Sequence, residues 1–259
     1  MTLSGAVITY NEARRIGECL DSLLLVCDEV VVLDSFSTDE TPAICQSKGP
    51  RVRFEQHAFD GHIEQKNRAM ERCTHPWVLS LDGDEVLSPE LVEQIEALRY
   101  RGPVAQAYAF NRRNRYAGRW LRYGGWYPDR KIRLWDRRHG RWGGDNPHDQ
   151  VMMKPGAQTA RLIGDILHFT YETPEDHLRQ VQNFALKSAK AQYERGRRIS
   201  AIQSQLGPWS VWIRDYVLKG GFLDGRQGFQ AARASALYQQ LKYAELRRLQ
   251  KDPSPKPTP

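Results

Sequence analysis

Apolar and polar positions change period in blocks along the first hundred residues, and each change marks a predicted element. Leu3 to Thr9 is a short apolar run that reads as a first strand. From about Ala13 to Leu25 the apolar residues Ile16, Leu20, Leu23 and Leu24 fall at helical spacing, with Asn11 placed to cap that helix. Glu29 to Asp34 is a continuous β-branched run, the pattern of a central parallel strand covered on both faces. A helix over Glu40 to Lys48, capped by Ser37 or Thr38, a third strand over Arg51 to Glu55 and a helix over Ile63 to Arg72 follow. Then come a buried strand opening at Trp77 and a helix from Pro89 to Tyr100. Strands and helices in strict alternation predict an α/β sheet with right-handed crossovers, in which ligands bind beyond the carboxyl ends of the strands.

Beyond residue 100 the pattern changes. Ala105 to Arg112 and Lys131 to Trp135 alternate like strands inside a stretch, Arg101 to Trp142, dense in arginine and aromatic residues. Thr173-Pro174-Glu175-Asp176 opens a long helix to about Arg195, with Leu178, Val181, Phe184, Ala185 and Ser188 on one stripe. Leu206 to Phe222 mixes tryptophans with Arg214 and Lys219, Gly220 to Gly228 reads as a glycine-rich turn, and a helix over Phe229 to Leu249 follows. These basic, aromatic helices suit a membrane interface, and they suit packing on the sheet equally. The expected organisation is a catalytic domain over residues 1–170, divided near residue 100, then a helical extension over 171–250 and a Pro-rich disordered tail over 251–259.

Charge narrows the partners. The 259 residues carry 38 Lys and Arg against 31 Asp and Glu, a net charge of +7, which favours an anionic partner: nucleic acid, an acidic membrane or a phosphorylated small molecule. Cys19, Cys27, Cys45 and Cys73 form no CxxC pair, so a reduced, cytoplasmic setting is expected. No signal peptide is visible at Met1 to Ile8, and no run approaches the ~18 apolar residues of a membrane span. Any membrane contact is expected to be peripheral.

Three predicted strand ends carry polar clusters: Thr9-Tyr10-Asn11-Glu12, Asp34 to Asp39, and Asp82-Gly83-Asp84-Glu85. Alone, the last is an acidic entrance to the helix announced by Ser88-Pro89-Glu90. Strand period two, however, puts Asp82 and Asp84 on one side, where their hard oxygens suit Mg²⁺ or Mn²⁺. Neither a GxGxxG nor a GxxxxGK[ST] loop is present, so phosphates have no glycine cradle. A metal would then be the main source of positive charge for a diphosphate. One unit-charge pair at ~4 Å and an effective dielectric near 20 is worth ~4 kcal/mol, against roughly 0.3–1 kcal/mol for a helix N-terminus.

In order and spacing, those three clusters together with Gln65-Lys66-Asn67 resemble the motifs of family 2 glycosyltransferases with the GT-A fold, and in particular the small bacterial enzymes that glucosylate the lipopolysaccharide inner core. The resemblance spans roughly residues 3 to 235, with Phe36 standing where the family's second motif usually has glycine. It implies an inverting transferase that uses a nucleotide-sugar donor, with UDP-glucose expected, a divalent metal and a glycolipid acceptor. Thr9, Tyr10 and Glu12 would line the nucleoside pocket, Asp34 would meet the uracil edge, and Lys66 would lie near the base. Asp84 would be the principal metal ligand and Asp82 would contact ribose or metal.

Arg130 and Arg133 sit in a block, Tyr127 to Leu134, that resembles the stretch between the family's metal motif and its base. In Asn146-Pro147-His148-Asp149 the family carries an acid after a histidine, which implies Asp149 as general base, with Asp145 as the fallback. His148 either orients a phosphate or acceptor or is structural, and His168, on an apolar strand, reads first as a core histidine and second as a third metal or diphosphate contact. Two rivals remain. A nucleotidyltransferase would show a Gly-rich, Arg-containing first loop, and Tyr10-Asn11-Glu12-Ala13 is not one. A single-stranded nucleic-acid module would use the Arg/aromatic segment as its groove; the resemblance implies no nucleic-acid partner.

Overall fold

A computed structural model of the chain describes residues 1–145 and 148–252, and for Asp145 and His148 it describes the backbone only. The alternating half folds as its periods predict: β1 (Leu3–Thr9), α1 (Ile16–Val26), β2 (Glu29–Asp34), α2 (Thr41–Ser47), β3 (Val52–Gln56), α3 (His62–Glu71) and β4 (Trp77–Asp82). β1 pairs in parallel with β2 and β4, and β2 with β3. The short β5 (Glu85–Leu87) and α4 (Pro89–Arg101) come next, the helix entered through Ser88, whose side chain accepts from the Leu91 N–H. β6 (Ala107–Tyr116), β7 (Arg119–Trp120), β8 (Asp129–Asp136), the hairpin β9 (Gly140–Asp145) and β10 (His148–Met153), and β11 (Thr159–Tyr171) complete the strands. The helices α5 (Pro174–Glu194), α6 (Ala201–Trp212) and α7 (Gly225–Lys251) close the chain.

The main sheet runs β3-β2-β1-β4-β8-β6-β11-β5, with β8 antiparallel to β4 and β5 antiparallel to β11. Its parallel strands are uniformly apolar because both faces are covered. Leu3, Val7, Val30, Val32, Leu79 and Leu81 pack against Ile16, Leu20 and Leu23 of α1. Ala6, Val31, Leu33 and Val78 pack against Ala69, Met70 and Cys73 beneath α3, together with Trp142 and Val151 of the hairpin. Each fully buried aliphatic side chain contributes about 1.5–3 kcal/mol, which is why this register tolerates no slip.

Two compact units emerge: Met1–Arg113 with Asp129–His168, and Asn114–Pro128 with the residues from Phe169 onward. The boundary expected after residue 170 falls at 168, and residues 114–128 group with the helical unit. In that unit the Asp224 carboxylate accepts from the backbone N–H of Arg122 and Tyr123, both at 2.9 Å. Two helical expectations are corrected. The buried stripe of α5 is His177, Val181, Ala185 and Ala189, whereas Leu178 and Phe184 are exposed, because small residues let the helix approach α7 closely. The glycine-rich turn ends at Asp224 and the last helix begins at Gly225. Gly228 lies within that helix, where a Cβ would stand 1.9 Å from the Gly221 carbonyl, so this glycine serves close packing rather than a break.

All four cysteines are free and buried. Among the described residues, no helix is long and apolar enough to cross a membrane.

Candidate active site

The carboxyl ends of β1 and β2 are tied together by their loops. Asn11 adopts φ 53°, and its side-chain oxygen accepts from the Thr38 N–H at 2.8 Å while its own N–H donates to Ser37 Oγ at 2.8 Å. It therefore braces two loops and does not cap α1, whose N-cap is Arg15. Asp39 braces the same junction, accepting from Thr41 and Ala13 N–H at 3.0 and 3.1 Å. No Ser37 or Thr38 cap forms on α2, which is preceded by Glu40. Asp34 lies beneath the loop, fully buried, with its carboxylate accepting from the Ser37 N–H and Gln56 Nε2, both at 2.9 Å. Phe36 takes φ 61°, so the glycine conformation of this loop is kept by a residue that exposes its ring. Tyr10 is exposed, and Thr9 is buried with an Oγ1 that has no hydrogen-bond partner among the described residues.

The acidic run does not continue as a strand. β4 ends at Asp82, Gly83 and Asp84 form a turn, and β5 starts at Glu85, so strand alternation does not relate Asp82 to Asp84 and the two carboxylates take different partners. The turn is tight: a Cβ on Gly83 would lie 2.8 Å from Thr9 Oγ1. Asp82 is held by Lys66 Nζ at 2.9 Å and by Arg133 at 3.2 Å. Burial opposes its charge, but Lys66 and Arg133 outweigh that and hold its carboxyl well below the usual carboxylate range.

Asp84 turns elsewhere, its Oδ2 lying 3.1 Å from His168 Nε2. The antiparallel register that sets His168 opposite Glu85 brings this histidine to the turn. Glu85 is fully buried and structural, accepting from the Asp82 N–H at 3.0 Å and from Arg133 at 2.9 Å. On the Asp84 side negative charge is in excess: burial, then the neighbouring Asp84 and Asp39, push the Glu12 carboxyl up to about 7.

On the Asp82 side a cleft of about 560 Å³ opens, lined by Lys66, Asp82, Arg112, Arg130, Arg133, Trp142 and Asp149. Lys66 is buried at 4% exposure; its Nζ reaches Asp149 Oδ2 at 2.8 Å as well as Asp82, and it stands 4.5 Å from the centre of the Trp142 ring. Arg133 flanks the same ring at 5.2 Å. Asn67, the neighbour of Lys66, fixes the hairpin against α3: its side chain donates to the Trp142 carbonyl and accepts from the Trp142 N–H, both at 3.0 Å.

Of the residues expected from the sequence, Lys66, Asp82, Arg130, Arg133 and Asp149 therefore share one cleft. Lys66, expected near the nucleobase, lies between Asp82 and Asp149. The fallback acid Asp145 and His148 are described by their backbone only, and Asn146 and Pro147 lie outside the described residues altogether. Trp142 and Arg112 are not singled out by the sequence as members of the site; Asn67 enters there only within the Gln65-Lys66-Asn67 motif, and His168 only as a core histidine with a metal or diphosphate contact as its second reading. The arginine segment is not a continuous groove, since Arg112 pairs with Asp129 at 2.8 Å, Arg138 with Asp136 at 2.6 Å and Arg113 with Asp165.

Metal fit follows from these donors. Among the described residues no group of three or more His, Cys, Asp or Glu is arranged to hold an ion by itself. Asp84 and His168 nevertheless offer an oxygen and a nitrogen donor beside excess negative charge. Mg²⁺ and Mn²⁺ are commonly held by one or two side chains and completed by substrate phosphates, so the residues fit such an ion when a phosphorylated ligand accompanies it.

A parallel sheet extended by antiparallel strands, with an acidic turn at the end of β4 and a carboxylate across the adjoining cleft, is the arrangement of a GT-A glycosyltransferase. More narrowly, the chain belongs to glycosyl transferase family 2, whose family profile matches residues 4–155. It is 29% identical over 255 residues to the lipopolysaccharide core biosynthesis glycosyltransferase LpsC of Rhizobium meliloti, covering 95% of this chain and 92% of that one. Residues 1–349 of S. aureus TarS overlay with a TM-score of 0.48 at 15% identity, covering 96% of this chain and 92% of theirs. Glucosyl-3-phosphoglycerate synthase of Mycobacterium tuberculosis, solved with Mn²⁺, UDP and glucosyl-3-phosphoglycerate, overlays with a TM-score of 0.36 at 26% identity over 44% of each chain.

Proposed function

We propose that this glycosyltransferase moves a hexose, with UDP-glucose the expected donor, to a glycolipid acceptor of the lipopolysaccharide-core type at the cytoplasmic face of the membrane, with inversion. The observation that carries the reading is Lys66, which joins the donor-side carboxylate Asp82 to Asp149 across the cleft, at 2.9 and 2.8 Å. Direct displacement needs a carboxylate beside the donor to take the acceptor's proton, and the Lys66 bridge supports Asp149 in that role. The similarity to LpsC over nearly the whole chain supports the acceptor class.

In this mechanism Thr9, Tyr10 and Glu12 border the nucleoside, with Asp34 beneath their loop. Asp84 and His168 would hold a divalent ion, which when bound would supply positive charge for the diphosphate. Asp149 accepts the proton of the acceptor hydroxyl as its oxygen bonds to the anomeric carbon. The bond from that carbon to the diphosphate oxygen breaks, and the nucleoside diphosphate leaves with the electron pair. Lys66 and Arg133 keep the cleft cationic on the side where phosphate charge accumulates, and Arg130, exposed at the same cleft, meets an acidic group of the acceptor.

A thermal-shift panel of nucleoside diphosphate sugars with and without Mn²⁺ tests the donor. A uridine nucleotide should raise the melting temperature in a metal-dependent way, and the absence of any such response would overturn the reading. Asp149→Ala should abolish transfer and leave the donor response intact; undiminished turnover in that variant would remove Asp149 from the mechanism.

A further inference from the structure

The helical unit leaves one helix face uncovered. No residue of α6 is buried, and Ile202, Leu206 and Trp209 are 61–67% exposed, followed by Ile213 at 45% and Val217 at 48%. At helical spacing Ile202, Leu206, Trp209 and Ile213 fall within one narrow stripe. The opposite side of the same helix is the packed one. Gly207 lies there against α7, where a Cβ would stand 2.6 Å from the Tyr243 ring, and Asp215 beyond the helix end is buried. The stripe is thus not a core face seen from the wrong side.

Charge around the stripe is arranged to a single sign. Ala201–Trp212 contains no Asp, Glu, Lys or Arg at all. Arg195, Arg197 and Arg198 precede it and Arg214 and Lys219 follow it, all exposed, while Asp215, the one carboxylate from residue 195 to 219, is buried and held by Arg214 at 2.7 Å. At the end of the stripe, Trp212, Tyr216, Phe222 and Phe229 form a partly exposed aromatic cluster with ring centres 5.1–6.5 Å apart. An uncharged apolar stripe with tryptophan, flanked by cations, is the composition of a helix that lies in the headgroup region of an anionic bilayer. Among the described residues no helix spans a membrane, so any attachment through helices would be of this peripheral kind.

We infer that α6 and the start of the following segment, Ile202 to Val217, form the surface by which this protein docks on an anionic lipid bilayer. The inference deepens the glycolipid reading by assigning the contact to one helix face, and it can fail independently of that reading. Apolar insertion and electrostatic attraction would act together, the first through Leu206 and Trp209, the second through the arginines at 195, 197 and 198.

The test is co-sedimentation of the full chain with vesicles of phosphatidylglycerol and phosphatidylethanolamine in equal parts, and with vesicles of phosphatidylcholine alone. The wild type should pellet with the anionic vesicles, weakly with the neutral ones, and release on raising salt. L206D/W209D should lower anionic-vesicle partitioning by about tenfold or more while the Mn²⁺ and uridine-nucleotide thermal shift stays unchanged. Should that variant fold poorly, R197E/R198E serves as the second arm, with loss of binding at low salt expected. A wild type that ignores anionic vesicles, or variants that bind as well as it does, would overturn the inference. So would light scattering that finds a wild-type dimer dissociated by L206D/W209D, since a second copy would then cover the face. Failure of the nucleotide response with vesicle binding intact would strike the functional reading alone.

Discussion

Replacing Lys66 by Met removes a cation that ion-pairs with both Asp82 and Asp149 and keeps most of the buried stem that lies over Trp142. At 2.8–2.9 Å and an effective dielectric near 20, each pair is worth about 6 kcal/mol of gross attraction. Much of this is offset by the desolvation of a lysine that is only 4% exposed. Breaking a buried pair typically costs about 3–5 kcal/mol. The lower end, about 3 kcal/mol, applies here because Asp82 keeps Arg133 at 3.2 Å. For a chain of this size that corresponds to a fall in Tm of about 6–12 °C. Turnover should fall by about a hundredfold or more, since Asp149 loses the group that aims it. Thermal unfolding and nucleotide release would be measured on Lys66→Met, Asp149→Asn and the double variant. A coupling of about 0.5–3 kcal/mol between the two sites is expected. Strict additivity, with turnover and Tm near wild type in Lys66→Met, would refute the bridging role.

Asp84→Asn and His168→Ala should each remove the Mn²⁺-dependent part of the melting shift given by a uridine nucleotide; equal shifts with and without the substitution would take that residue out of the metal site. Gly164 has φ 104° and a Cβ there would sit 2.7 Å from the Leu91 nitrogen, so Gly164→Ala should destabilise by about 3 kcal/mol, read by chemical denaturation, and a neutral result would be incompatible with this packing. His177 is stacked on Tyr171 at 4.3 Å, and burial pushes its imidazole down to about 4. A histidine kept neutral in the folded state costs stability once the unfolded chain can take up the proton. The contribution should therefore be intact above pH ~6.5 and erode by up to about 3 kcal/mol as pH falls toward ~4. In His177→Gln that slope should flatten; an unaltered pH–stability profile would assign acid lability to other groups.

Where burial alone decides structure, the sequence was readable. The Val30–Leu33 and Val78–Leu81 runs define strands covered on both faces, and β2 coincides with the predicted span. Asp82 and Asp84 were legible as site residues but not in their division of labour. Strand period holds only while a strand lasts, and Gly83, pressed against Thr9, turns the chain between them. For His168 the sequence could not choose between a core histidine and a metal contact, because the choice depends on a register with β5, a segment of three residues some eighty positions earlier. The pairing of Asn67, visible only as part of a motif, with Trp142 was hidden, their two hydrogen bonds joining a helix to a hairpin 75 residues away. At Gly228 local propensity misled, since glycine was read as a breaker where the fold needs the absence of a side chain.

The electrostatics of the site follow from that division at Gly83. On one side, burial first and then the nearby Asp84 and Asp39 raise the Glu12 carboxyl to about 7. On the other, Asp82, Glu85, Asp129 and Asp149 are all paired with cations, and Arg130 remains at the cleft with no ion pair among the described residues. A ligand that suits both sides must carry a cation on one flank and anionic groups on the other. A metal-bound nucleoside diphosphate satisfies that requirement, and neither a bare cation nor a bare polyanion does. Lys66 belongs to both the phosphate side and the base, so charge arriving beside Asp82 competes for the lysine that holds Asp149. Under the proposed roles, the donor-side carboxylate and the base therefore share one electrostatic unit through Lys66, though 67 residues separate Asp82 from Asp149 in the chain.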